Sequence, residues 1–245
     1  MAFKIKYVWF LLAGIVIGFL VGQIGFVARN SAQQSGTQNL SSTQQTQSSQ
    51  QNLGDQVAVK SKFFENVKNV SADNDPVTGS KDAKLTIIEF TDYQCSYCKK
   101  YFDETFPLIK KNYIDTGKVK YVVRDFPLEE HPQALLAAKT ANCAGAQNKY
   151  WEMHELLFTT NTSWSYNSDA AGILGSYAKN LGLDQGRFDQ CMKSKDTTDE
   201  IAKDIKDGEI YGVTSTPTFF IGGEKIVGAQ PFETVFKTVI DQELT

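Results

Sequence analysis

The chain has 245 residues, 41% of them hydrophobic and 12% aromatic, so it is long and apolar enough for one sizeable domain with additional segments. Its 25 basic and 28 acidic residues give a net charge of −3 and are scattered without a basic run, which argues against nucleic acid as a partner. The four cysteines are an even number, and their use depends on the compartment in which the domain folds.

The N-terminus predicts that compartment. Residues 7–27 contain no charge and are long enough to cross a bilayer as one helix. Lys4 and Lys6 precede the run and only Arg29 closely follows it, so the positive-inside bias puts residues 1–6 in the cytoplasm and the rest outside. A cleaved signal peptide is the alternative, but its apolar region is shorter and ends in a small-x-small site. We therefore predict an uncleaved single-pass anchor in the cell membrane.

Residues 28–60 are predicted to be a disordered tether. From Ser31 to Gln56 the sequence is rich in Gln, Ser, Thr and Asn and has almost no apolar residues. Such a composition cannot bury enough surface to offset the entropy of ordering. The folded domain is then expected to comprise residues 61–245 outside the cytoplasm.

The first half of this domain predicts a parallel βαβ unit. Lys62–Val70 has the apolar spacing of a helix, and Lys84–Phe90 is apolar on both faces, as expected for a central strand. Lys99–Ile114 has a helical pattern, and Lys120–Phe126 is a second strand. Strand, helix and strand in close succession indicate parallel strands with a right-handed crossover.

The second half continues with helices and ends in a hairpin. The pattern is helical from about residue 130 to 212, followed by two short strands at Thr218–Ile221 and Glu224–Val227 and a final helix from Pro231 to Ile240. The order βαβ, helices, ββα is typical of an α/β thioredoxin fold. We therefore predict a mixed sheet with an inserted helical subdomain, preceded by one transmembrane helix.

The motif Cys95-Ser96-Tyr97-Cys98 lies immediately after a predicted strand and opens a helix. A thiol near a helix N-terminus is stabilised as the thiolate, because unpaired N–H groups and the positive end of the helix dipole favour an anion. Cys95 is therefore the candidate nucleophile, and Cys98 is close enough to form a disulfide with it. Half of a zinc site is the alternative, but the remaining cysteines and histidines follow no familiar zinc spacing.

Glu89 is the second candidate, because it interrupts the apolar strand on the face that carries Leu85 and Ile87. Burial of a carboxylate is costly and raises its pKa. Beside Cys98 it could take that thiol's proton as the mixed disulfide resolves. Lys120 on the neighbouring strand is its predicted partner, and an exposed structural Glu is the alternative.

Thr216-Pro217 precedes the strand of the hairpin and is the third candidate. A proline is allowed as the first residue of a strand, so a plain strand boundary is one interpretation. A cis Thr216-Pro217 bond is the other, and it would leave the backbone of Thr216 free to pair with an extended substrate peptide.

Four stretches of the chain, from about Asp75 to the C-terminus, resemble successive blocks of the DsbA-like thiol–disulfide oxidoreductases: TIIEFTDYQCSYCKKYF, VVRDFPLEEHPQALLAAKTANCAGAQNKYWEMHELLF, LGLDQGRFDQCMKS and YGVTSTPTFFIGG. The resemblance implies that Cys95 is the exposed nucleophile and Cys98 its buried partner. It also implies that Glu89 is the buried acid, that Lys120 couples to it, and that Thr216-Pro217 is a cis-proline loop facing the disulfide.

Two positions depart from the best-known oxidases of that family. The dipeptide between the cysteines is Ser-Tyr in place of Pro-His, and Thr before the cis-proline also occurs in isomerase-like relatives. Both positions influence the redox poise. The resemblance therefore leaves oxidase open against isomerase or reductase.

Cys143 and Cys191 are predicted to form a second, non-catalytic disulfide. Both lie in the helical insertion of a domain expected to be exported, where oxidation is permitted. If Cys95 pairs with Cys98, these two have only each other as partners. Two separately buried free thiols are the alternative.

The sequence therefore predicts a membrane-tethered enzyme that oxidises thiols of unfolded exported proteins. The dithiol is its redox centre, so we expect no bound cofactor and no metal. The family resemblance implies a quinone-linked membrane partner that reoxidises the pair. The alternatives are an isomerase or reductase on the same scaffold, or a tethered module in which the C-x-x-C holds a metal or serves an interaction.

Overall fold

The computed structural model describes residues 65–66 and 70–245. The predicted cytoplasmic segment at residues 1–6, the anchor at 7–27 and the tether at 28–60 lie outside the described residues. Within the described part of the chain, no helix is both long and apolar enough to cross a membrane.

A mixed six-stranded sheet forms the centre of the fold. Its strands are β1 (Glu65–Asn66), β2 (Val77–Gly79), β3 (Leu85–Thr91), β4 (Val119–Asp125), β5 (Thr218–Ile221) and β6 (Glu224–Val227). They lie in the order β1-β6-β5-β3-β4-β2. β3 and β4 are parallel, as predicted for the βαβ unit, and all other neighbours are antiparallel.

β3 is the strand that leads to the cysteine motif. Its sequence, LTIIEFT, is rich in β-branched and aromatic residues, and all of it except Thr86 is buried. It pairs with β4 on one side and β5 on the other, and both of its faces are covered. An acidic residue within this strand is therefore forced into the protein interior.

Helices cover both faces of the sheet. They are α1 (Ser96–Glu104), α2 (Phe106–Ile109), α3 (Ala134–Gly145), α4 (Tyr150–Thr159), α5 (Asn161–Trp164), α6 (Ala170–Asn180), α7 (Gln185–Lys193), α8 (Lys195–Ile210) and α9 (Lys237–Glu243). The helices α3 to α8 lie between β4 and β5 along the chain. Short π-helical turns at Lys110–Ile114 and Phe232–Phe236 follow α2 and precede α9.

The helix predicted over Lys99–Ile114 is divided in the structure. α1 ends at Glu104, and Pro107 occupies the first turn of α2. A proline lacks the N–H that an uninterrupted helix would need, and it suits the first turn of a new one. The division leaves α1, which begins within the C-x-x-C motif, as a short, separate element.

The two faces of the sheet carry separate cores. The larger one lies on the face of Leu85, Ile87 and Tyr121, and it includes both cysteines of the motif. The smaller one lies on the face of Ile88 and Phe90. This division follows from the alternation of side chains along a strand.

α8 packs closely on the smaller core because of one glycine. A Cβ on Gly208 would lie 2.7 Å from a ring carbon of Phe126, which is too close for any other residue without a shift. The approach brings Asp204 of α8 within 2.6 Å of Arg124 on β4.

Two edge elements differ from the predictions. Glu65–Asn66 lies within the predicted helix Lys62–Val70, but its backbone pairs with β6 as a strand. β2 was not predicted, because three residues are too few to show an alternating pattern. Both strands exist because the sheet edges offer hydrogen-bonding partners, which a local pattern does not reveal.

Candidate active site

The two thiols of the motif lie where β3 gives way to α1. Cys95 is the N-cap residue of α1, and Cys98 lies in its first turn. Both are free thiols, and Cys98 is fully buried. Cys95 is only 5% exposed, so it is more covered than the family resemblance implies. The reason is the close approach of the segment around Thr216, whose carbonyl oxygen lies 3.5 Å from the Cys95 sulfur.

The surroundings give the two thiols opposite acidities. The pKa of Cys95 is lowered to about 6, chiefly because the Cys98 thiol donates a hydrogen bond to its sulfur. Burial opposes this shift, while the backbone N–H groups of Tyr97 and Cys98 at the helix start add to it. The pKa of Cys98 is raised well above its usual value by burial and by its bond to Cys95. Near neutral pH the reduced pair is therefore a Cys95 thiolate beside a Cys98 thiol.

Glu89 lies in the interior on the same face of the sheet as Cys98. Its side chain is 2% exposed, and burial raises its pKa to about 7. Cys98 is close enough for the charge of Glu89 to contribute to the raised pKa of that thiol. A carboxyl group that titrates near neutral pH can both give and accept a proton there.

The partner of Glu89 is Tyr121, and the predicted pairing with Lys120 is wrong. The Tyr121 hydroxyl donates to Oε2 of Glu89 at 2.6 Å. In the parallel register Glu89 lies opposite Val123, which puts Tyr121 on the same face and Lys120 on the other. The strand was predicted correctly, but the partner was assigned one residue too early along it.

Thr216-Pro217 faces the nucleophile from the opposite side. The Thr216-Pro217 peptide bond is cis. The carbonyl oxygen of Pro217 accepts from the N–H of Gly228 at 2.8 Å, which ties the segment to the end of β6. The segment that leads into β5 therefore lies against the Cys95 sulfur.

A protein-family comparison matches most of the chain. The family model described as Thioredoxin matches residues 71–242 of the chain. The chain belongs to the thioredoxin family. Within this family the crystal structure of alpha-DsbA1 from Wolbachia pipientis is 31% identical, with a TM-score of 0.64, and the match covers 70% of this chain and 92% of that one. The similarity therefore extends to a DsbA protein over nearly its whole length.

Two curated relatives are longer than the matched region. A Rickettsia conorii protein named as a candidate protein-disulfide oxidoreductase is 31% identical over 173 residues, which cover 70% of this chain and 61% of that protein. The Na(+)/H(+) antiporter NhaA 1 of Salinispora arenicola is 33% identical over 171 residues, which cover 69% of this chain and 25% of the antiporter. The chain thus spans about a quarter of the antiporter and about three fifths of the Rickettsia protein.

Asp92 and Gln94 form a polar support that the sequence did not reveal. Asp92 accepts hydrogen bonds from the N–H groups of Gln94 at 2.7 Å and Leu128 at 2.9 Å, and it contacts Nδ1 of His131 at 2.7 Å. The side chain of Gln94 makes two bonds with Gln133, at 2.7 and 2.8 Å. Together they tie this loop of the thioredoxin-family core to the helical insertion. Their only sequence sign was their position directly before the motif.

His154 is a buried packing residue next to the same loop. It is 2% exposed, and its Nδ1 lies 3.0 Å from the Tyr93 hydroxyl. Burial lowers the pKa of His154 to about 3, so the ring is neutral at physiological pH. Its pKa is therefore too low for this histidine to exchange protons near neutral pH.

The second cysteine pair is a disulfide within the helical insertion. Cys143 of α3 and Cys191 of α7 are bonded, with Cα atoms 5.6 Å apart and a sequence separation of 48. This is the pairing expected from the sequence. Neither cysteine lies at a strand-to-helix junction like that of Cys95.

Among the described residues, three carboxylates lie close enough together to bind a metal ion. Ligand atoms of Asp73, Glu200 and Asp204 lie within 4.8 Å of one another. Asp204 also accepts from Arg124 on the face of the sheet opposite Glu89. Cys95 and Cys98 have no part in this group.

Proposed function

We propose that this chain is an extracytoplasmic thiol–disulfide oxidoreductase that introduces disulfide bonds into exported proteins through Cys95 and Cys98. The observation that carries the proposal is the opposite acidity of two thiols within one helical turn, with the pKa of Cys95 at about 6 and that of Cys98 raised. A thiol of low pKa leaves readily from a mixed disulfide. The reduced enzyme is therefore favoured, and its disulfide is oxidising.

The proposed cycle starts from the Cys95–Cys98 disulfide. A substrate thiolate attacks the sulfur of Cys95, and the bond between Cys95 and Cys98 breaks with its electron pair on Cys98. A second substrate thiolate then attacks the substrate sulfur of the mixed disulfide, and Cys95 leaves as a thiolate. The substrate is oxidised by two electrons, and the enzyme pair is reduced by two.

Glu89 supplies the proton in the first step. Because the pKa of Cys98 is raised, its thiolate is a poor leaving group unless it is protonated as it forms. A carboxyl group with a pKa of about 7 holds a proton on about half of the molecules at neutral pH. In the reverse reaction, the same carboxylate accepts the proton from Cys98.

The backbone around Thr216 is proposed to bind the substrate. Its carbonyl oxygen lies 3.5 Å from the Cys95 sulfur, beside the end of β6. Backbone groups in this position suit an extended peptide, which would align its own backbone with that of Thr216 and Pro217. Such binding accepts many unfolded sequences, because it uses the main chain.

Residues 1–60 are proposed to tether the enzyme. Residues 7–27 are free of charge and would anchor the chain, with residues 1–6 in the cytoplasm and 28–60 as a flexible tether. The domain would then meet proteins as they emerge from the membrane, and a quinone-linked membrane partner would reoxidise the dithiol. Protease added to intact cells should digest the domain, and carbonate washing should leave the undigested chain in the membrane. Digestion only after lysis would contradict the proposed orientation.

The decisive experiment is mixed-disulfide trapping with cysteine variants. Cys98→Ser should accumulate covalent complexes with a disulfide-bonded substrate, because the Cys95 thiolate attacks the substrate disulfide, one substrate sulfur leaves as a thiol, and Cys98 is absent and cannot release the adduct. Cys95→Ser should form none and should lose all oxidase activity. Complexes of equal yield in both variants would exclude Cys95 as the nucleophile.

A reduction potential separates the proposed oxidase from the other reactions of this scaffold. Equilibration with glutathione should give a value close to that of a strong oxidant, about −120 mV. A value close to about −270 mV would make the protein a reductant. The measurement uses the dithiol alone and needs no knowledge of the natural substrate.

A further inference from the structure

Tyr121 occupies the position at which a charged partner of Glu89 is expected. Its side chain is fully buried on the Glu89 face of β4, and its hydroxyl donates to Oε2 of Glu89 at 2.6 Å. Hydrogen bonds from a neutral donor to a carboxylate are short and strong in a buried site. The bonds from Tyr121 and, to a smaller extent, Thr91 lower the pKa of Glu89 against the effect of burial.

Tyr101 supports Tyr121 from the helix that carries the cysteines. The two hydroxyl groups are 2.8 Å apart. Since Tyr121 gives its only hydroxyl hydrogen to Glu89, Tyr101 must donate to Tyr121. Tyr101 is three residues beyond Cys98 on α1, so both side chains lie on the same side of that helix. The hydrogen-bonded chain thus connects the strand that holds the acid with the helix that holds the thiol.

No cation faces Glu89 among the described residues. The ionisable groups that interact with it are Tyr121 from β4, Tyr101 and Cys98 from α1, and Tyr93 from the loop between β3 and α1. β5 contributes Phe219 at the paired position. All four ionisable groups are neutral when protonated, so the carboxylate is stabilised by hydrogen bonding rather than by an ion pair.

We propose that Tyr121, supported by Tyr101, is the positioning residue that holds Glu89 for proton transfer to and from Cys98. This inference rests on the proposed function, because it assigns a role within the same thiol–disulfide reaction. Tyr121 never contacts the reacting sulfur. It fixes the carboxyl group and stabilises its ionised form with one hydrogen bond.

The proton balance shows when this bond matters. As the Cys95–Cys98 bond breaks, Cys98 receives the electron pair, and Glu89 gives it a proton and becomes a carboxylate. The Tyr121 hydroxyl then donates to that new negative charge, and it keeps its own hydrogen throughout. The bond is therefore stronger after the transfer than before it.

Tyr121→Phe tests the proposal, because it removes one oxygen and keeps the ring. Burial raises the pKa of Glu89, and the Tyr121 bond opposes that rise. Loss of the bond should move the titration of the Glu89 carboxyl carbon upward by about one to two pH units, as seen by carbon-13 NMR of the reduced protein. The pH–rate profile for reduction of the enzyme disulfide should move in the same direction. Tyr101→Phe should give a smaller upward shift, since it acts through Tyr121.

Tyr113→Phe is the matched control. Its hydroxyl donates to Asp241 at 2.7 Å, so this variant loses the same group from the same kind of bond away from Glu89. The Glu89 titration should not move in this variant. In a Glu89→Gln background, Tyr121→Phe should no longer change the pH–rate profile, because the group it acts on is gone.

The outcomes separate this inference from the proposed function. An unchanged Glu89 titration in folded Tyr121→Phe protein would overturn the role of Tyr121, even if the enzyme is fully active. An inactive wild-type protein would overturn the proposed function, while the NMR titration would still report on Tyr121. If Tyr121→Phe does not fold, the Glu89 titration in Tyr101→Phe decides the question. An unchanged titration in that variant would contradict the proposal.

Discussion

The two faces of β4 bury ionisable groups in opposite ways. On one face, Glu89 lies beside Tyr121 and has no cation near it among the described residues. On the other face, Arg124 is fully buried and contacts four aspartates, with distances of 2.6 to 3.8 Å to Asp73, Asp75, Asp204 and Asp207. Glu89 and Arg124 lie on the neighbouring strands β3 and β4 and point to opposite faces of the sheet, where they meet different partners.

The comparison shows how the neighbours of a buried ionisable group determine its protonation state. Burial alone would lower the pKa of Arg124, but hydrogen bonds to Asp207 and Asp204 raise it, so the guanidinium stays charged. Glu89 has a hydrogen bond but no opposite charge, and its pKa rises to about 7. Arg124 therefore holds a charge that joins several elements, whereas Glu89 has no cation beside it among the described residues and can exchange a proton near neutral pH.

The largest expected effect is the loss of stability when Arg124, with its four aspartate contacts, is replaced. Arg124→Met leaves the buried Asp75 and Asp204 without their cation and should lower the free energy of unfolding by about 3–5 kcal/mol. Urea denaturation near neutral pH measures the loss. Lys195→Met is the matched control, because its ion pair with Asp199 is exposed and should be worth less than about 0.5 kcal/mol. Equal losses of stability in the two variants would show that the buried ion pairs of Arg124 contribute no more than an exposed one.

The second-largest expected effect is the pH-dependent contribution of Glu89 to stability. Folding raises the pKa of Glu89 from 4.5 to about 7, so the folded protein holds this proton more tightly than the unfolded chain. The stabilisation is complete below about pH 4.5 and is lost as the pH rises through about 7. Relative to Glu89→Gln, wild-type stability should therefore fall by about 3 kcal/mol between pH 4 and pH 8. Parallel stability curves for the two proteins would contradict the raised pKa.

A smaller effect is expected at the thiols themselves. The hydrogen bond from Cys98 is the main cause of the low pKa of Cys95, so Cys98→Ala should raise that pKa. Alkylation by iodoacetamide at pH 7 should slow by roughly 3- to 10-fold as the thiolate fraction falls. The double variant Cys143→Ala, Cys191→Ala should keep the midpoint at about 6, because that pair lies in the helical insertion. A low midpoint that persists in Cys98→Ala would assign the activation to the helix start instead.

The smallest expected effect is at Lys120, which lies on the face away from Glu89. Lys120→Met should shift the Glu89 titration by less than about 0.3 pH units and change stability by less than about 0.5 kcal/mol. The same carbon-13 NMR titration provides the measurement. A shift as large as that expected for Tyr121→Phe would restore the lysine as the partner of the acid.

The sequence by itself determined the local elements around the site. The predicted strand Lys84–Phe90 differs from β3 by one residue at each end, and Thr218–Ile221 and Glu224–Val227 are the observed β5 and β6. The position of Cys95 at the start of a helix also followed from the sequence, because both strand and helix patterns are set by neighbouring residues.

Only the tertiary structure decided which groups meet across those elements. A strand alternates its side chains, so an error of one residue moves a partner to the other face, and this is why Lys120 was chosen and Tyr121 was missed. The contacts of Asp92 and Gln94 with Leu128, His131 and Gln133 join residues 36 to 39 positions apart in sequence. Those of Arg124 with Asp204 and Asp207 join residues 80 and 83 positions apart, so no local pattern encodes either set. The reactive residues were visible in the chain because their chemistry is rare there, whereas the residues that tune them are ordinary ones placed by packing.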